Sequence, residues 1–251
     1  MKIKKRKVKP ILKRARKPAE AAAETRLRKI VKPVLERWRV IAAAVAAVVV
    51  VAAGIGGYFA YRHDREVRAA RAYARAQGKI TDMVRDAAEK SGEERKLAED
   101  EIDAKTASEL ESVVERYGDT ATGRAAKYTL ASLYFDQGKY DEAQKLFKTL
   151  EDKASGLEKA LAAKGVADCY KARLEYGAAI SKYRDVFESH KFEFPAVPVA
   201  MDLAECYRET GRPKAAAEMY QYILDYHPLS PYAEQAAREL KNVEAVIATK
   251  G

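Results

Sequence analysis

Val199–Leu224 reads VAMDLAECYRETGRPKAAAEMYQYIL, and two earlier windows align with it. Ala126–Leu150 reads AKYTLASLYFDQGKYDEAQKLFKTL, and Ala162–Phe187 reads AAKGVADCYKARLEYGAAISKYRDVF. Ala131, Ala167 and Ala204 coincide, and Tyr134, Tyr170 and Tyr207 follow them at the same interval. Further on, Ala143, Ala179 and Ala216 coincide, as do Phe147, Tyr183 and Tyr220. Between the two halves the turn position holds Gly138, then Leu174, then Gly211, and His227-Pro228 closes the third window. Self-similarity at a fixed period marks a stacked array, because one helix pair cannot bury its apolar face alone. Small residues let two helices cross closely, and large rings fill the space beside the crossing. The pattern predicts an all-α body.

This small–x2–Tyr, turn, Ala, aromatic order resembles the tetratricopeptide repeat family. The resemblance covers about 105 residues and implies an α-solenoid of about three and a half repeats. The aligned alanines are 36 and 37 residues apart, against a usual period of about 34. The surplus is expected in the connections Asp152–Glu158 and Ser189–Pro198. Ala107–Gly118, with Leu110, Val113 and Val114 inward, reads as the second helix of a degenerate leading unit. Part of Arg62–Lys90 is its expected partner. Pro231–Ile247 reads as a closing helix, with Tyr232, Ala236 and Leu240 assigned to core.

Ahead of the array, Val40–Tyr61 reads VIAAAVAAVVVVAAGIGGYFAY and carries no charge. About 20 helical residues cross a hydrocarbon core of ~30 Å, so this run predicts a single transmembrane helix. Trp38 stands at one edge, with Tyr58, Phe59 and Tyr61 at the other, as interfacial rings do. Pro33 suits the first turn of a helix, with Glu36 near its positive end. Val51-Ala52-Ala53 looks like a signal cleavage site, but a 39-residue basic head is far longer than a signal's n-region. The expected domains are a largely disordered basic tail over 1–39 and the span over 40–61. A helical stalk with the degenerate repeat follows over 62–99, then the repeats and capping helix over 100–251.

Charge divides unevenly about this span. Residues 1–39 hold 16 Lys/Arg against 3 Asp/Glu, whereas 62–251 hold 31 against 34. The overall net charge of +10 is therefore +13 in the head and −3 in the body. Basic flanks stay cytoplasmic, which predicts an exported body. Pro10 and Pro18 break any helix in the head. Its charges suit anionic lipid at about 1 kcal/mol per side chain. The same charges permit contact with ribosomal RNA, but without an aromatic before Trp38 the head has nothing for bases to stack on. Leu27, Ile30, Val31, Val34 and Leu35 follow helical spacing and suggest a short surface helix leading into the span.

Chemistry-bearing patterns are missing. His63, His190 and His227 lack partners at metal-ligand spacing, and no phosphate loop, nucleophile elbow or catalytic carboxylate pair occurs. The reading is a non-enzyme with no cofactor and no metal. Cys169 and Cys206 occupy equivalent places in adjacent repeats. Such places lie about 8–10 Å apart on packed helices, and a disulfide needs Cα atoms within about 7 Å, so free thiols are expected.

The first helix of each unit lines the concave face of such an array. By the family pattern that face carries Tyr128, Ser132, Phe135 and Asp136 from the first unit. Lys164, Asp168 and Lys171 come from the second, and Met201, Glu205, Arg208 and Glu209 from the third. Tyr128 and Phe135, two turns apart on one side of a helix, are the expected anchors for a protein partner. Packing of both rings beneath the degenerate unit is the alternative. The carboxylate-clamping members of the family use Lys with Asn, and Asn242, outside the repeats, is the body's single asparagine.

One span followed by an exported repeat domain resembles the single-span ancillary subunit of the bacterial Sec translocon. That resemblance implies an inner-membrane protein with a periplasmic body. Its implied partners are the translocon, a prolyl-isomerase-like chaperone and exported chains, with lipid around the span and tail. A scaffold subunit of another envelope complex, and a tail-driven tether with the repeats as spacer, are the alternatives.

Overall fold

In a computed structural model of the protein, the structure describes residues 26, 28–29, 31–32, 37–189 and 196–250. The basic tail before residue 26, Pro33, Glu36, most of the surface helix ahead of the span, and His190 lie outside the described residues. Every described element is helical: α1 Trp38–Ala88, α2 Gly92–Tyr117, α3 Ala121–Asp136, α4 Tyr140–Lys153, α5 Gly156–Ala172, α6 Tyr176–Ser189, α7 Ala196–Glu209, α8 Pro213–Tyr226 and α9 Ala233–Lys250. The chain divides into two compact units, residues 1–61 and 62–251.

Within the first unit, α1 presents its apolar side chains outward on all sides. Val45, Val48, Val49, Val50, Val51 and Ile55 are all exposed. Among the described residues α1 is the one helix long and apolar enough to cross a membrane. A helix apolar all round needs a nonpolar surrounding, which is consistent with a single-pass anchor.

The second unit is built by helices that pack mainly on their sequence neighbours. From Arg62 onward α1 acquires a buried stripe at three- and four-residue intervals: Ala69, Tyr73, Ala76, Ile80, Met83 and Ala87. This stripe meets Ala98, Ile102, Leu110 and Val113 of α2. Helix α2 begins at Gly92, well before the Ala107 start read from the sequence. Glu93 and Glu94 favour its positive end, and Ala98 and Ile102 supply a narrow apolar face within a charge-dense stretch. Glu66 of α1 clasps the start of α3, accepting from the Ala121 and Thr122 amides at 2.8 Å each and from Thr122 Oγ1 at 2.5 Å. Burial works against its charge, yet these hydrogen bonds hold the Glu66 carboxyl below its usual range.

Three helix pairs follow: α3–α4, α5–α6 and α7–α8. The six aligned alanines are fully buried, and Phe147, Tyr183 and Tyr220 fill the space beside them. The Asp152–Glu158 connection is mostly helix, leaving only Ala154 and Ser155 between α4 and α5. The surplus there lengthens α5 rather than a loop. In the Ser189–Pro198 connection, α6 runs to Ser189 and α7 begins at Ala196, with Pro198 in its first turn, where a missing amide costs nothing. Residues 190–195 lie outside the described residues. Helix α9 closes the array on buried Ala236 and Val243, with Leu240 half-buried; Tyr232, read as core, precedes the helix and is exposed.

Candidate functional site

First-helix positions of the three units superpose by sequence as Tyr128/Lys164/Met201, Ser132/Asp168/Glu205 and Phe135/Lys171/Arg208. In the first unit these positions are not a free aromatic surface. Tyr128 is half-buried with its ring edge-on to Phe147 at 5.4 Å. Phe135 tilts against Tyr140 at 5.3 Å. Both rings join the core cluster around Phe147, not the one formed with α2. The anchors read from the sequence are therefore partly consumed by packing inside their own unit. Ser132 is half-buried and Asp136 exposed on the same helix.

The second and third units behave differently. Lys164 Nζ contacts Asp168 at 2.8 Å within α5 and reaches Asp202 of α7 at 2.9 Å. Lys171 Nζ contacts Asp202 at 2.6 Å and Glu205 at 3.0 Å. Asp168 also accepts from the buried Tyr183 hydroxyl at 2.6 Å. Separately, Arg208 of α7 pairs with Glu239 of α9 at 3.0 Å. An ion-pair ladder thus joins α5 to α7, and a separate pair joins α7 to α9. Burial disfavours both ammonium groups, but the carboxylates outweigh it, so Lys164 and Lys171 are held charged more firmly than ordinary lysines. Burial, then Asp168 and Asp202, push the Tyr183 phenol far up.

Along this ladder, with Lys164 and Asp202 in its wall, lies a cleft of about 300 Å³ also lined by Met201, Glu205, Arg208 and Glu239, among others. The structure brings Lys164, Asp168, Lys171 and Glu205 together in one network, with Met201 and Arg208 beside it in the cleft. It leaves Ser132, Phe135 and Asp136 apart from it. Asp202, Tyr183, Tyr220, Tyr232 and Glu239 were not read as site residues. Asp202 aligns with Thr129 and Gly165, so no repeated polar position signalled it. Tyr183 and Tyr220 sit at the core-aromatic position, where sequence reports the ring and not the hydroxyl. Among the described residues no group of three or more His, Cys, Asp or Glu is placed to hold a metal ion.

A stacked helix-pair body with a polar first-helix face defines a repeat-built interaction module. The tetratricopeptide repeat family matches residues 125–155 and 199–230, the first and third units, so the chain carries repeats of that protein-binding kind. The second unit, with Leu174 at its turn, lies outside both matches. No curated protein matches the sequence.

Proposed function

We propose that the protein is a membrane-anchored binding module whose first-helix face, across α5, α7 and α9, receives a segment of a partner protein. The supporting observation is the mainly polar cleft beside Met201, where Pro198, Met201 and Tyr232 stand among half-exposed charges. Surfaces of this composition orient a partner by charge and bind it by apolar contact. We further propose that α1 anchors the chain in a bacterial inner membrane with residues 1–39 cytoplasmic and the body periplasmic. The charge of +13 ahead of the span and −3 behind it supports that direction. In this setting the module assists export or folding of translocated chains at the Sec translocon, alongside a prolyl-isomerase-like chaperone. A photo-reactive residue replacing Met201, irradiated in intact membranes, tests the reading. Capture of translocon, chaperone or exported chains is the expected result. Capture of one stoichiometric envelope complex instead would make the protein a scaffold, and no capture would remove the face from consideration.

A further inference from the structure

The cleft contains a repeat irregularity. Tyr183 and Tyr220 are equivalent, and so are Asp168 and Glu205. In the second unit the tyrosine donates to the acid, Tyr183 to Asp168 at 2.6 Å. In the third unit the corresponding pair is open, because Glu205 turns to Lys171 through Oε2. Tyr220 is 2% exposed, yet its hydroxyl has no hydrogen-bond partner among the described residues and it lines the cleft. The buried ring thus presents at the cleft a hydroxyl with no protein partner, which can accept a hydrogen bond from a ligand.

The surrounding charge selects the ligand. Glu205 Oε1 and Glu239 Oε1 make no hydrogen bond among the described residues, whereas both oxygens of Asp202 are engaged by lysines. Three cations, Lys164, Lys171 and Arg208, face five carboxylates: Asp168, Asp202, Glu205, Glu209 and Glu239. Pro198, Met201 and Tyr232 add apolar wall. Tyr220, Glu205 and Glu239 all line this cleft, so the hydroxyl and the two carboxylates border one space. We propose that this cleft binds an arginine or lysine side chain of an extended partner segment. The apolar stem lies on Met201 and Tyr232, and the cationic head donates to Glu205, Glu239 and the Tyr220 oxygen. This rests on the first-helix face being the partner surface.

The test uses the full-length protein in detergent and two fluorescent nine-residue Ala/Ser peptides, acetylated and amidated. One has a central arginine and the other citrulline, its neutral isostere. Arginine should bind about tenfold tighter or more, the scale of a charge-assisted hydrogen bond. Tyr220→Phe should weaken the arginine peptide severalfold with an unchanged melt. Glu205→Gln with Glu239→Gln should remove the preference. Equal affinity for the two peptides, binding of neither, or a preference untouched by these variants overturns the proposal. Photo-capture from Met201 separates the two failures: capture with indifferent peptides overturns the cation alone, and absence of capture overturns the face and the cation together.

Discussion

Leu174 holds the left-handed backbone conformation, φ 61°, that Gly211 holds at φ 68° in the next repeat. The hydrogen bonds around them match. Leu174 N donates to Lys171 O and Glu175 N to Tyr170 O, both at 2.9 Å; Gly211 N donates to Arg208 O and Arg212 N to Tyr207 O. This paired closure of a helix end demands a left-handed residue after the cap. An L side chain there costs about 1–2 kcal/mol, and glycine gives back roughly 0.5–1 through its freer unfolded chain. The Leu174 side chain is 69% exposed, so little packing is lost with it. Leu174→Gly should therefore stabilise the body by about 0.5–1 kcal/mol. Urea unfolding of the full-length protein in detergent reads this directly. A neutral or destabilising result would mean the leucine makes contacts that offset its strain.

Gly165 lies against Phe147 so closely that a Cβ would stand 2.7 Å from two ring atoms. Phe147 is buried and cannot swing into solvent. Gly165→Ala gains about 1 kcal/mol of helix propensity, but overpacking a filled core costs about 1–3 kcal/mol. A net loss of about 1 kcal/mol is expected. Phe147→Leu, costly alone, should cost less when combined with Gly165→Ala because the smaller side chain vacates the overlap. Purely additive losses in that cycle would refute the contact.

The six alanines and three core rings were legible because each repeats, and repetition turns a weak local preference into a pattern. Helix α2 was legible only from Ala107, since Gly92–Lys105 offers few apolar residues in a charge-dense run. The first-helix positions could also be aligned. Whether Tyr128 stands in a groove or packs on Phe147 depends on the neighbouring helix, which spacing along α3 does not report. The ladder was half legible: Lys164 and Asp168 are four apart on one helix. Asp202, which ties α7 to both lysines, needs the register between two helices.

Cys169 and Cys206 are free and fully buried. Burial above all pushes their thiols up, to about 11 and about 12 respectively. The thiolate is the reactive form, so both should resist alkylation in the native protein at neutral pH. Iodoacetamide should label neither in the folded protein and both in guanidinium without prior reduction. Rapid native labelling would mean the second and third units open locally, and failure to label after unfolding would indicate a bridge.

The Lys171–Asp202–Glu205 contact should appear in the alkaline stability of the body. Burial lowers the Lys171 pKa, but Asp202 and Glu205 raise it further, leaving it above the ordinary 10.5. The folded value exceeds the unfolded one. Its stabilisation is thus complete below about pH 10.5 and is lost as pH rises through the folded value. Lys171 is about a quarter exposed on its side chain, between an open surface pair and a sealed one. Lys171→Met should then cost about 1–2 kcal/mol at pH 7. Asp202 keeps Lys164 in this variant, while Glu205 loses its partner and faces solvent. Urea unfolding of both proteins from pH 7 to 11.5 supplies the check. The difference between them should hold steady up to about pH 10 and narrow beyond it, because only the wild type has this proton to lose. A methionine variant as stable as wild type at pH 7 would show that desolvation of the lysine cancels its ion pairs, and that the ladder aligns the helices without strengthening them.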